Sequence, residues 1–201
     1  IDIRIDASDV QVDLETSDVD LALRYAMPAG ATQGGIRLFG EQLAVVASPW
    51  LLKSGKPLRT PADVAQFTLI EAGDAHRTHY LEYLSWRRWF DTRDLTKLQP
   101  QRWLYFNYAH QIVQAALAGQ GLALARMPLI ADALAAGDLV EVLPGHRIDS
   151  PLAYWLMVGP RSAQRPEIKA FCAWLQVQAE ATRQAIGDVP DPDLNDNLDG
   201  A

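Results

Sequence analysis

The chain has 201 residues, 49% of them hydrophobic and 21% charged, the balance of a globular protein able to bury a core. Its formal charge of −7 is concentrated in one place, because Asp188, Asp191, Asp193, Asp196 and Asp199 all fall in residues 187–201 with no base among them. The rest is nearly neutral and offers no basic field to hold nucleic acid; the single cysteine excludes an intramolecular disulfide, and no apolar run approaches the roughly 20 residues of a membrane span.

Ile1–Asp6 (IDIRID) alternates apolar and polar residues, the period of a half-exposed strand. Because the chain begins inside that strand, an upstream segment is expected. Val10 to Glu15 can form a short helix capped by Ser8 or Asp9. Val19 to Tyr25 alternates again, with Val19, Leu21 and Leu23 on one face. A loop rich in proline, glycine and small residues follows from Pro28 to Gly35. Ile36–Leu38 and Gln42–Ser48 read as two strands joined around Gly40. After Ser48-Pro49 the character changes. Trp50–Lys53 is a helical turn, broken by Gly55-Lys56-Pro57, and Thr60-Pro61-Ala62-Asp63 is a capped, proline-first helix start. Leu69-Ile70 is a brief strand, and in the aromatic and charged residues 72–102 only Trp86, Trp89 and Phe90 mark a helix.

Phe106 to Pro128 (FNYAHQIVQAALAGQGLALARMP) is the most regular stretch. Ala109, Ile112, Val113 and Ala116 make one apolar stripe of a helix. Asn107 occupies the N-cap position and Gly119 the left-handed C-cap position. Leu122 to Ala125 then reads as a strand covered on both faces. Strand, helix, strand is the unit of a parallel sheet, whose ligands gather at strand carboxyl ends beside helix N-termini. The mouth formed by Phe106, Asn107 and Tyr108 is therefore the expected site. A helix over Met127–Ala136, strands at Leu139–Leu143 and Leu152–Val158, and a last helix from Pro166 follow. Cys172 lies on the apolar face of that last helix, between Phe171 and Trp174, and reads as an inert buried thiol. Residues 187–201 are expected to be a disordered acidic tail. The alternation of strands and helices specifies an α/β fold.

Five pieces now stand in order: DVDLALRYA, LFGEQLAVVASPWLL, KPLRTPADVAQFTLI, the 106–128 stretch, and DALAAGDLVEVLP. Together they resemble the effector-binding domain of LysR-type transcriptional regulators, in the subgroup that contains the glycine-cleavage activator and the β-lactamase regulator. The resemblance covers roughly residues 1–180. It implies two Rossmann-like subdomains of periplasmic-binding-protein type II-like fold, with a cleft for a small molecule. One subdomain is residues 1–48 with 152–186, the other 49–151, with crossovers near Ser48 and Ser150-Pro151. It also implies an N-terminally incomplete domain, since Ile1 matches the second strand, and a winged helix-turn-helix ahead of it through which alone DNA is bound. Homodimers within homotetramers are implied, with Ile1–Asp6 and the 108–118 helix near the contact.

The candidate ligand-binding residues are Asn107, Tyr108, Tyr154, Arg24, Tyr25, Ser48 and Arg126. Family members often open the site helix with small hydroxyl residues; here Phe106, Asn107, Tyr108 and Ala109 stand there, so the fourth hydroxyl is absent. The N–H groups of the helix start still favour a carboxylate or other anion. Alternatively Asn107 is only a cap and Tyr108 only a wall. Arg24, beside Tyr25 at a strand end, suits a carboxylate, or else pairs with Asp20 or Glu41. Ser48 donates to a ligand or closes the turn before Pro49. Tyr154 matches a cleft-lining tyrosine of the β-lactamase regulator branch, while Trp155 and Leu156 beside it argue for core. Arg126 faces the cleft or caps a neighbouring helix.

Other signals are set aside. His76 and His79 lack the further ligands of a zinc site, and DPDLNDNLDG in the tail has no calcium-loop register. The GQG at 119–121 follows a helix, whereas a dinucleotide motif precedes one. Arg87, Arg88, Arg93, Lys97 and Arg102 interleave with Glu82, Asp91 and Asp94, the pattern of a solvated helix face rather than a strand-binding groove. No catalytic triad, metal or cofactor is indicated. The expectation is a cytoplasmic, non-enzymatic sensing domain without membrane contact, with a periplasmic solute-binding protein of the same fold as the alternative.

Overall fold

The computed structural model describes residues 2–8, 10–28, 34–54, 57–73 and 81–188. In chain order come strands β1 (Leu21–Ala26) and β2 (Ile36–Ala47), helix α1 (Pro49–Ser54), a 3-10 turn (Pro61–Gln66) and strand β3 (Thr68–Ala72). A second 3-10 turn (Leu81–Leu84), helix α2 (Trp86–Asp91), strand β4 (Arg102–Phe106), helix α3 (Ala109–Leu117) and strand β5 (Leu122–Arg126) follow. Helix α4 (Met127–Ala136), strands β6 (Val140–Glu141) and β7 (Ile148–Val158), and helix α5 (Pro166–Ile186) complete the chain. It divides into two compact units, residues 1–40 with 151–201 and residues 41–150. The dividing points, Gly40–Glu41 and Ser150–Pro151, lie inside β2 and β7. The first differs from the expected Ser48 because β2 is one unbroken strand through Gly40.

In unit 1, β1 pairs antiparallel with β7 from Leu21↔Val158 to Ala26↔Ala153. The period-2 alternation of β7 sends Ala153 and Trp155 to one face and Tyr154, Leu156 and Val158 to the other. The second face meets α5 through Leu38, Leu156 and Ala179, with Cys172 and Leu175 alongside. Burial there pushes the Cys172 thiol up, away from the reactive thiolate.

Two expectations near the start are corrected. Residues 2–8 form no strand, and Ile3 and Ile5 are exposed, since within the described residues no neighbour gives their alternation a face to bury. Val10 to Glu15 is not a helix. Asp13 accepts from Glu15 N (2.8 Å) and Thr16 Oγ1 (2.9 Å), and Ser8 Oγ accepts from Val10 N (3.1 Å), local bonds that outcompete a helical ladder.

The tail expectation is corrected at Asp188. Gly187, at φ 72°, turns the chain out of α5. The Asp188 carboxylate then accepts from Arg37 Nη1 (3.1 Å), Arg37 Nη2 (3.2 Å) and Gly40 N (2.8 Å). Composition describes the tail as a whole and cannot see two nearby arginines. The rest of the tail lies outside the described residues, as do His76 and His79.

In unit 2 the strand order is β2-β5-β3-β4, with β6 also on β2. β3 is parallel to both β4 and β5, and β2 is antiparallel to β5. The β4–α3–β5 segment is thus the expected parallel unit, stepping over β3. Its core joins Leu43, Val45, Leu69, Leu122 and Leu124 to Trp86, Trp89 and Phe90 of α2. Both tryptophans satisfy their indole N–H on backbone, Trp86 on Ile70 O and Trp89 on His146 O (each 2.9 Å). Arg93 is not on a solvated face as expected: its guanidinium lies over the Trp89 ring (4.2 Å) and donates to the His146 carbonyl.

Gly121 is required by a close approach, since an added Cβ would stand 2.4 Å from the Thr68 carbonyl oxygen. Gly121→Ala is expected to destabilise the protein by about 1–3 kcal/mol or more, read by urea denaturation, because β3 and β5 must part. Asp188 gives a pH-dependent prediction. Burial pushes its carboxyl up, but hydrogen bonds from Arg37 and Gly40 and the charges of Arg37 and Arg183 outweigh that, holding it below the ordinary range. A depressed folded pKa gives stability that is full above about pH 4 and lost as pH falls through the folded value. Asp188→Ala should therefore cost about 1–3 kcal/mol at pH 7, with the difference shrinking in denaturation curves at progressively lower pH.

Candidate functional site

The parallel arrangement of unit 2 brings the carboxyl ends of β3, β4 and β5 to one sheet edge, where antiparallel β2 begins. Ala72 stands opposite Phe106 and Leu43 opposite Arg126, so the edge is made of Glu41, Ala72, Phe106 and Arg126. Gly73 N donates to Phe106 O (2.7 Å), closing the β3 and β4 ends together.

Helix α3 starts two residues beyond Asn107. Its N-cap is Tyr108, not Asn107 as the sequence suggests. Gln111, three residues on, explains the shift: its Oε1 accepts from Tyr108 N (3.3 Å), while Tyr108 O accepts from Gln111 N (3.1 Å) and Ile112 N (3.3 Å). Asn107 is exposed, and the half-exposed Tyr108 ring stacks on His110 at 5.6 Å and 19°. By the geometry of any helix start, the N–H groups of Ala109 and His110 lack an intrahelical acceptor and carry partial positive charge.

Arg126 ends β5 at the same edge. Its Nε donates to Glu41 Oε2 at 2.5 Å; the Glu41 side chain is 0% exposed and that of Arg126 is 17% exposed. A carboxylate that deep needs a cationic partner to remain charged. Glu41 is the residue that sequence reasoning missed here, offering it only as a partner for Arg24. Its signal was present, as one glutamate inside the apolar run LFGEQLAVVA.

The remaining candidates lie elsewhere. Ser48 is buried at the opposite edge of this sheet, beyond the β2 residues that face the start of β5. Its Oγ accepts from Leu51 N (3.3 Å), which fits the turn-closing alternative, and a Cβ at Gly119 would stand 3.2 Å from it. Arg24, Tyr25 and Tyr154 belong to unit 1. Arg24 donates to the Val12 carbonyl. Tyr154 packs between Tyr25 (5.0 Å) and Phe39 (4.6 Å) on the α5 side of the sheet. Thus within unit 2 Asn107, Tyr108 and Arg126 share one edge and Ser48 does not, while within unit 1 Tyr25 and Tyr154 pack together on the α5 side and Arg24, opposite Trp155, belongs to the other face. Among the described residues no cluster of His, Cys, Asp and Glu is placed to hold a metal, and no helix is long and apolar enough to cross a membrane.

The family described as the LysR substrate binding domain matches residues 1–180. The chain belongs to that family. The Glycine cleavage system transcriptional activator of Escherichia coli K12 is 33% identical over 184 residues, covering 92% of this chain and 57% of the relative. The HTH-type transcriptional activator AmpR of Pseudomonas aeruginosa is 27% identical over 176 residues, covering 87% and 55%. The chain therefore spans little more than half the length of these relatives. The crystal structure of the AmpR effector domain of Pseudomonas aeruginosa superposes with a TM-score of 0.62 at 27% identity, covering 88% of this chain and 79% of that one. The AmpR effector-binding domain of Citrobacter freundii gives 0.62 at 23% identity, covering 85% and 80%, a likeness of fold. The fold is the periplasmic-binding-protein type II-like α/β fold of LysR effector domains.

The Glu41–Arg126 pair yields a stability test. Arg126→Met strands a buried carboxylate and is expected to cost about 3–5 kcal/mol, whereas Glu41→Leu combined with Arg126→Met should recover much of it. Denaturant melts of the single and double variants decide this, and equal costs for both would count against the pair as the reason.

Proposed function

We propose that this chain is the effector-sensing domain of a bacterial LysR-type transcriptional regulator, working in the cytoplasm and catalysing no reaction. The observation that carries the reading is the helix start at Tyr108–Ala109, set on the carboxyl edge of the unit 2 sheet in a member of this family. The effector is a small organic molecule with an anionic group. That group is held by the first-turn N–H donors of α3, with Asn107 and Tyr108 at its sides and the Arg126 charge, fixed by Glu41, beyond. The names of the relatives favour transcriptional control over solute transport or turnover. In this reading DNA is contacted by the winged helix-turn-helix that family members carry, and the domain works in homodimers or homotetramers. An effector with different affinity for two arrangements of the assembly shifts the population between them, which is all that regulation requires.

A thermal-shift screen of amino acids, aromatic acids and cell-wall peptides tests the reading. At a concentration near 100 Kd a true effector adds about 2.7 kcal/mol, a Tm rise of about 5–10 °C for a chain of this size. Asn107→Ala should weaken that ligand about tenfold, and the amide resonances of Ala109 and His110 should move on binding. An effector whose affinity ignores Asn107→Ala and whose binding leaves those amides still would place the site elsewhere.

A further inference from the structure

Both polar groups of a strand residue point to the same edge, and successive residues alternate between edges. On β2, Val45 O accepts from Val142 N (3.0 Å) on the β6 side, so the even-numbered residues face the edge that β5 takes at Ala44 and Val46. Leu38 and Gly40 lie on that even edge before β5 reaches it. There two side chains do the bonding. Arg183 Nη1 donates to Leu38 O (2.7 Å), and Asp188 Oδ2 accepts from Gly40 N (2.8 Å). A carbonyl and the N–H two residues later are the pair that one residue of a parallel neighbour would satisfy. The bonding groups come from the last turn of α5 and the second residue after it, and Arg37 of β2 holds the Asp188 carboxylate in place. Gly40 is also the last residue of unit 1 before Glu41 opens unit 2. A Cβ there would stand 2.5 Å from Arg37 Nη2 and 3.0 Å from Asp188 Oδ1, so a side chain at this position would push those two side-chain ends aside.

We infer that Arg183 and Asp188 form a releasable latch on β2, two side chains standing in for a parallel strand along the edge that carries Leu38 O and Gly40 N. A neighbouring strand could leave only by breaking a ladder. A guanidinium and a carboxylate leave by rotating side-chain bonds, and water satisfies them when they do. With the latch open, that edge of β2 gives up both bonds to water, and Gly40 is the residue of this segment freest in φ and ψ.

Amide hydrogen exchange followed by NMR on the whole chain tests it. In the wild type Gly40 N–H is protected. Asp188→Ala should speed its exchange about tenfold or more beyond the acceleration of the core amides of Leu156 in unit 1 and Leu124 in unit 2, which follow the loss of global stability, the signature of local opening. Asp188→Asn keeps an acceptor for Gly40 but loses the charge toward Arg37, and should fall between. Should Asp188→Ala prove too unstable, Arg37→Gln reads the same amide with the carboxylate still present and should also accelerate it. An unprotected Gly40 in the wild type, or no acceleration in these variants, overturns the latch. So does an equal acceleration of Leu156 and Leu124, which would make Asp188 a general contributor to stability.

Discussion

Unit 2 rests on a contact between bare backbones. Gly121 comes so near the Thr68 carbonyl that no side chain fits between them, and this lets β5 lie against β3 with Leu122 to Ala125 all buried. Because β3 is parallel to its neighbours on both sides, that one approach aligns three strand ends on a single edge. Helix α3 must then begin at that edge and finish at the other, where Gly119 at φ 70° turns the chain back. The position of the α3 start is a consequence of sheet geometry, and the side chains around it refine what the geometry has already placed.

Much of this was legible because it depends on neighbours in sequence. The apolar stripe of α3, the glycine after it and the continuous apolar run of β5 are local signals, and they led to the right unit. Failures came where the outcome depends on what lies across space. The alternation of Ile3 and Ile5 needs a pairing partner to become a strand, and periodicity cannot supply one. Val10 to Glu15 had helical spacing, yet the Asp13 and Ser8 side chains bonded the backbone first. The N-cap moved from Asn107 to Tyr108 because Gln111 reaches back, a choice between adjacent residues that propensity alone does not make. Glu41 was legible as an oddity in its strand, but its partner stands 85 residues along.

The arginines show why ligand contacts are hard to read from a sequence. Arg24 bonds the carbonyl of Val12, Arg88 that of Tyr83, Arg93 that of His146, Arg161 that of Ser17 and Arg183 that of Leu38. Each fastens a loop or a strand edge whose carbonyl would otherwise turn to water. A rigid guanidinium with five donors suits this as well as it suits a carboxylate. In a nearly neutral fold, these five arginines are thus committed to architecture. Arg126 differs in being held by a buried carboxylate at the very edge where three strands end.

The discontinuity of unit 1 bears on how the protein is made. Its strands β1 and β7 pair Leu21 with Val158, with the whole of residues 41–150 between them. Unit 2, by contrast, is one continuous length of chain. During synthesis from the N-terminus, residues of unit 1 emerge first yet cannot pair until β7 has been made, while unit 2 has everything it needs earlier. Leu21 and Leu23 therefore wait on the ribosome with an apolar strand edge unpaired, the stage at which a nascent chain depends most on chaperones.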